Sequence, residues 1–414
     1  MWPWLVANKI LRKRLGSSNF VADYPSYSEN LTETSSAFDS PIPLSPTNIF
    51  NQHKTIHKYK CFVSTWNVGG VEPDKDLSME DWIDPSCDIY VLGFQEMVPL
   101  KASNVLGTEK TKISNKWSSL IREVLNKKKQ YGQNKSTISE DFQCIISKQM
   151  VGIQISVWVR SSIRPFIRNP SVSCIGCGIM ACLGNKGSVS VRFQVHETSF
   201  CFVCSHLASG GREGDAKYRN SNVSEILSRT SFPGGPLLDL PQTILDHDRV
   251  IWLGDLNYRI SLPEAKTRLL VDRGEWTTLL ENDQLWRELM DGQVFEDWHE
   301  GAIKFAPTYK YCPNSDLYFG GLHGNKAEKK RAPAWCDRII WHGEGLKQHL
   351  YTRGESKLSD HRPVKAIFTA EVCVLQRLKG FESFFLSERF EHITNKFEVP
   401  SKNDHFLCEG KSSF

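Results

Sequence analysis

Five short runs in this sequence put acids, amides and histidines directly after β-branched and aromatic stretches: Thr65-Trp66-Asn67, Gln95-Glu96, Ser205-His206, Gly254-Asp255-Leu256-Asn257 and Ser359-Asp360-His361. Strand ends are where an α/β enzyme collects its catalytic side chains. Carboxylates and amides together seat a hard, oxygen-seeking cation, and imidazoles bind or protonate phosphate oxygens. The inventory suits phosphoester hydrolysis. Any one of these runs alone would be an ordinary turn or cap, and Ser-Asp-His alone a polar loop. Five in one chain make that reading insufficient.

The elements that must position them are legible as apolar runs: KCFVSTWNV, CDIYVLGFQE, QCIISKQMVGIQISVWVR, GSVSVRFQV, SFCFVCSHL, RVIWLGDL and PVKAIFTAEV. Each reads as a buried strand. Helical patterns lie between them at residues 117–129, 215–229 and 263–280. Many strands with few helices predict an α/β sandwich, two sheets face to face with helices outside.

The chain has 414 residues, 40% apolar and 11% aromatic, enough for a substantial core. A net charge of +4 and a pI near 8.4 fall short of a dedicated nucleic-acid binder, while leaving room for a local basic pocket. The 12 cysteines read as reduced thiols, because MWPWLVANKILRKRLG carries its charges after the apolar stretch and lacks a secretory core. The expected compartment is cytosolic, with a nuclear or membrane-associated pool open. No apolar run is long enough to span a bilayer, and Asn30-Leu-Thr is a sequon without meaning in the cytosol.

Residues 1–55 read as a basic, aromatic segment followed by a Ser/Pro/Asn-rich disordered tail. The catalytic domain is expected over 56–373, and 374–414 as an amphipathic helix with a polar end. Basic polar stretches at 103–134 and 320–331 read as surface loops or their helical edges. The first 15 residues mix Trp2, Trp4, Leu5, Ile10 and Leu11 with Lys9, Arg12, Lys13 and Arg14, a pattern able to lie on an anionic membrane. A disordered tail or a partner-docking peptide is the preferred reading, with membrane contact as the alternative.

WLGDLNYR (252–259) and RAPAWCDRII (331–340) resemble the two signature motifs of the inositol polyphosphate 5-phosphatases, within the endonuclease/exonuclease/phosphatase superfamily. STWNVGG, LGFQEMVPL, LGNKGSVSVRF, SHLASGG, APTYKY and SDHRPV agree in order, so the resemblance covers roughly residues 58–370 and is closest in style to plant members. It implies the four-layer, DNase-like fold of that superfamily and Mg²⁺-dependent removal of a 5-phosphate. The substrates it implies are phosphatidylinositol 4,5-bisphosphate and 3,4,5-trisphosphate, or soluble inositol 1,4,5-trisphosphate and 1,3,4,5-tetrakisphosphate.

The resemblance also assigns roles. Glu96 ligates Mg²⁺ with Asn67 beside it and Asp360 in or near the metal's shell. Asp255 orients and deprotonates water, while Asn257 and His206 donate to the non-bridging oxygens. The Asp-x-Asn spacing is expected to put both side chains on one side of an extended strand end. His361 binds the scissile phosphate as imidazolium, held by Asp337. Lys186, Tyr309, Lys310 and Arg338 grip the other phosphates, and Trp335, Tyr258 and Arg259 line the pocket. Two departures from the family pattern, Ser188 after GNKG and Cys312 after TYKY, bear only on fine substrate preference.

Three rivals stand beside this reading. Cys174-x-x-Cys177 and Cys201-x-x-Cys204 have zinc-ribbon spacing, but positions 201 and 204 of one strand face opposite sides, so no structural zinc is expected. A nuclease of the same superfamily shares the machinery, yet RAPAWCDR, PTYKY and the modest charge argue against nucleic acid as partner. A non-catalytic headgroup-binding scaffold would have lost Asp255, Asn257 or His361, and all three are present. Cys144, Cys182 and Cys336 each lack the following arginine of a cysteine-based phosphatase, so direct water attack is expected.

Overall fold

In the computed structural model, residues 54–375 are described apart from internal stretches, the longest being 100–110, 128–140, 179–183, 235–239 and 321–330. The expectations for the N-terminal segment and for the helix beyond 375 lie outside the described residues.

Twelve strands form two six-stranded sheets. The first holds β1 (Lys54–Asn67), β2 (Ile89–Gln95), β3 (Phe142–Met150), β4 (Ile153–Arg160), β11 (Leu346–Arg353) and β12 (Val364–Leu375), in the order β11-β12-β1-β2-β4-β3. The second holds β5 (Ile167–Gly176), β6 (Gly187–Val195), β7 (Thr198–His206), β8 (Arg249–Asp255), β9 (His299–Glu300) and β10 (Asp337–His342), in the order β5-β6-β7-β8-β10-β9. Each sheet contains a parallel pair, β1 with β2 and β7 with β8.

These pairs are buried along almost their whole paired length, as their unbroken apolar runs require of strands covered on both faces. Alternate residues divide between layers. Val63, Val91, Phe202, Cys204 and Leu253 belong to the core shared by both sheets. Phe62, Tyr90 and Leu92 face α1 (Thr111–Asn126), and Cys201, Val203 and Trp252 face α2 (Asp215–Arg229). The layers are therefore helix, sheet, sheet, helix. On α1 the buried stripe is Ile113, Trp117, Ile121 and Leu125, a spacing of four that keeps one face inward. Emptying the Trp117 site would cost about 3–5 kcal/mol.

Three sequence expectations shift. The run from 143 to 160 is two strands, because Val151 turns through a left-handed conformation with φ 54° and makes a β3–β4 hairpin. The helix expected over 263–280 is divided into α3 (Glu264–Asp272) and α4 (Trp276–Leu280) around Gly274, whose φ is +69°. Strands β5 and β11 have no apolar run to announce them. β5 is an edge strand with Pro170 at an irregularity of pairing, and β11 is nowhere fully buried. A fifth helix, α5, spans Gln284–Asp291.

Candidate active site

Strand register assembles the site. In the first sheet Asn67 pairs with Gln95, so Glu96 follows at the same level. In the second sheet His206 pairs with Asp255, and Asp255 pairs with Asp337 at the start of β10. Three polar residues distant in sequence therefore form one row across β7, β8 and β10. Gly254 makes that row possible: its φ is +151°, and a Cβ there would stand 2.1 Å from the carbonyl oxygen of Ser205.

The two sheet ends meet through side chains. Asn67 Nδ2 donates to Asp255 Oδ2 at 2.9 Å and lies 3.4 Å from Glu96 Oε1. His206 Nε2 is 3.2 Å from Asp255 Oδ2 and 3.8 Å from Glu96 Oε1. The backbone N–H of Asn257 donates to Asp255 Oδ1 at 3.1 Å. Burial alone would push the Asp255 carboxyl up, but His206, His361 and Lys186 outweigh it and hold the group well below the usual range. Asp255 is an anion fixed by donors on both oxygens.

His361 is the cationic counterpart. Burial disfavours its charge, yet Asp337, whose Oδ2 lies 2.9 Å from His361 Nδ1, outweighs that penalty and lifts the imidazole to about 9. The Thr308 hydroxyl donates to the same Asp337 oxygen at 2.7 Å. The loop bearing His361 is stitched to the end of β1: the Ser359 hydroxyl donates to the Asn67 carbonyl at 2.7 Å, and Trp66 Nε1 donates to the His361 carbonyl at 3.2 Å. Tyr309 packs on the imidazole with ring centroids 4.6 Å apart.

Lys186 sits inside this cluster rather than at a remote phosphate position, with Nζ against His206 Nε2. Burial draws its ammonium down to about 8, against the pull of Asp255 and Glu96. His206 is likewise lowered, by burial first and Lys186 second.

Several expected roles need correction. The guanidinium of Arg338 cannot grip a ligand: it is wholly buried, donating to Asp283 Oδ1 at 2.8 Å and to both oxygens of Glu300. Trp335 and Tyr258 are also fully buried, the indole donating to the Phe305 carbonyl and the phenol to Asn220. Arg259 is 8% exposed, and its Nε and Nη2 donate to Asn257. Asn257 does not continue an extended strand: β8 ends at Asp255, and Asn257 has φ 57°. Its closeness to Asp255 comes from a local turn closed by the Asp255 carboxylate.

Lys310 and Asp360, each 29% exposed at the side chain, form an ion pair of 2.8 Å, so the acid assigned to the metal's shell already has a cation. Thr308, Ser359 and Trp66 were missed as partners of the catalytic groups. So was Arg331, half-buried and close enough for its charge to act on Tyr309 and Lys310. Its signal was the KKR run immediately before APAWCDR.

Two groupings offer hard oxygen ligands. Asp255, Asp337 and His361 present ligand atoms within 4.8 Å of one another, but Asp337 and His361 are already bonded together. Glu96 is the better fit: its carboxylate is 30% exposed and stands beside Asn67 and His206. Positive φ at Glu96, 52°, turns it out of the strand line.

Two stacked mixed sheets with this cluster at the ends of their parallel strands define an endonuclease/exonuclease/phosphatase protein, and the model of endonuclease/exonuclease/phosphatase family 2 matches residues 64–367. Cimex nitrophorin shares the fold alone, at 17% identity and a TM-score of 0.55 over 76% of this chain and 99% of that one.

Within that class the chain belongs to the inositol polyphosphate 5-phosphatases. It is 65% identical over 404 residues to type IV inositol polyphosphate 5-phosphatase 9 of Arabidopsis thaliana, covering 94% of this chain and 96% of the relative. To type I inositol polyphosphate 5-phosphatase 8 of the same plant it is 45% identical over 454 aligned positions, covering 99% and 92%. The inositol polyphosphate 5-phosphatase domain of SPsynaptojanin, solved with inositol (1,4)-bisphosphate and a calcium ion, is 32% identical with a TM-score of 0.67, over 83% of this chain and 94% of that one.

Among the described residues no helix is long and apolar enough to cross a membrane. Cys201 and Cys204 face different cores, Cys201 toward α2 and Cys204 between the sheets.

Proposed function

We propose that this chain hydrolyses the 5-phosphate of inositol polyphosphate headgroups, with Mg²⁺ as its metal. The observation that supports this most is the meeting of Asn67, Glu96, His206, Asp255 and His361 at one end of the sandwich, in a chain 65% identical to a named 5-phosphatase.

Glu96 and Asn67 would hold the metal. When bound, it neutralises charge on the phosphoryl and leaving oxygens. Asp255, fixed by Asn67 and His206, orients the attacking water through a hydrogen bond and takes its proton as the new P–O bond forms. His361, held as imidazolium by Asp337, neutralises a non-bridging oxygen. The ester bond to the ring breaks and the leaving oxygen takes a proton from solvent as Asp255 releases its own, giving the inositol hydroxyl and orthophosphate. Lys310 and Arg331 are the groups available to a neighbouring ring phosphate, while Tyr309, 8% exposed, backs His361 instead.

Phosphate release tests the reading on inositol 1,4,5-trisphosphate, inositol 1,3,4,5-tetrakisphosphate and the 4,5-bisphosphate and 3,4,5-trisphosphate lipids, with and without Mg²⁺. Release from at least one of these, dependent on the metal, is the expected result. Turnover of nucleic acid in place of all four would overturn it. Binding to anionic vesicles, compared with a chain lacking residues 1–15, tests the membrane role of that segment.

A further inference from the structure

Arg259 stands at the junction of the two halves of the site. Its Nη2 donates to Asn257 Oδ1 at 2.6 Å and its Nε to the Asn257 carbonyl at 3.1 Å. On the other side of the amide, Asn257 Nδ2 donates to the Leu207 carbonyl at 3.1 Å. A donor against Oδ1 and an acceptor against Nδ2 leave the amide only one orientation, with its remaining N–H as the group free to meet an oxyanion. The guanidinium also lies over the Tyr309 ring, 4.5 Å from its centroid, and the Tyr309 ring packs on His361 at 4.6 Å. Asn257 in turn closes its backbone N–H onto Asp255 Oδ1.

We propose that Arg259 is a positioning residue that sets the Asn257 amide and the Tyr309–His361 stack together, coupling the water-orienting side of the site to its phosphate-binding side. It rests on the hydrolytic reading above. A direct grip on substrate phosphate is disfavoured because the side chain is buried and Nε and Nη2 are already engaged within the chain.

Lysine at this position keeps a cation near Tyr309 but cannot hold both oxygens of Asn257 in the planar fork that arginine provides. In Mg²⁺-supported phosphate release from inositol 1,4,5-trisphosphate, Arg259→Lys should lose about a hundredfold in kcat, the scale of a misplaced catalytic group, with KM within about twofold of wild type. Arg259→Lys combined with Asn257→Ala should be no slower than Asn257→Ala alone. A raised KM with kcat preserved, or losses that multiply, would overturn the proposal.

A crystal structure of Arg259→Met, or of Arg259→Lys should the methionine variant not fold, provides a readout independent of turnover. In the methionine variant the Asn257 amide should be turned or displaced and Tyr309 moved off His361, and in the lysine variant the Asn257 amide alone should move; an Asn257 amide left in place, or a Tyr309–His361 stack unchanged in the methionine variant, would overturn the proposal. An inactive wild type would count against the hydrolytic reading and leave this structural test standing.

Discussion

Asp337 and His361 lie on different elements, 24 residues apart, yet form a buried contact of 2.9 Å between Oδ2 and Nδ1. Asp337 is fixed in turn by its register opposite Asp255 and by the Thr308 hydroxyl. The pair keeps a proton on an imidazole that burial would otherwise strip.

That arrangement fixes a pH dependence. His361 is raised to about 9, so its charge should persist through neutrality and be lost as pH rises through that value. Its reference value is about 6.5, so the stability the pair contributes is complete below that pH and disappears as pH rises through about 9. Asp337→Asn removes the carboxylate that holds the proton. The alkaline limb of kcat against pH should move down from near 9 toward neutrality. A limb left in place in the variant would show that His361 does not govern it.

Glu96 is the acid open enough to accept a metal at the end of the parallel β1–β2 pair. Glu96→Gln keeps the side chain's shape and removes its charge, so the Mg²⁺ concentration for half-maximal activity should rise by about tenfold or more. Chelation with EDTA should abolish turnover of the wild type, with recovery on adding Mg²⁺. Equal metal requirements in the two proteins would move the ligand role elsewhere.

Much of this site could be read before folding. Asn67, Glu96, His206 and Asp255 announced themselves because each ends a buried run, and the parallel pairing of those runs aligns the ends. What the sequence could not display was burial created by distant pairing. Arg338 enters as a phosphate ligand only through the resemblance of its WCDR segment to the family motif, which carries no information about its partners. Its partners, Glu300 and Asp283, arrive 38 and 55 residues from it in sequence. The same holds for Asn257, whose left-handed turn is invisible in an Asp-x-Asn spacing that also suits a strand.

Arg338 therefore makes a stability prediction. Tyr351 donates to Glu300 Oε1 at 2.7 Å from β11 in the other sheet, so the guanidinium is the centre of a network joining both sheets. Replacing it with Met would leave two buried carboxylates uncompensated, a loss of roughly 3–5 kcal/mol. Urea unfolding should show that loss, and the folded variant should keep its KM within about twofold. A stable variant with a greatly raised KM would return Arg338 to substrate binding.

Lys310 and Asp360 allow a sharper test of phosphate recognition, because each neutralises the other at 2.8 Å on the open side of the site. Lys310→Ala removes a cation and also exposes an anion, so two effects act against an anionic substrate. The double variant Lys310→Ala/Asp360→Ala removes both charges and should bind better than the single one. KM for inositol 1,4,5-trisphosphate should rise about ten- to a hundredfold in Lys310→Ala, on the scale of a lost charged hydrogen bond, and recover in part in the double variant. If instead the second substitution cuts kcat steeply and makes the enzyme depend on higher Mg²⁺, Asp360 serves the metal as well as the lysine. An unchanged KM in the single variant would remove Lys310 from recognition altogether.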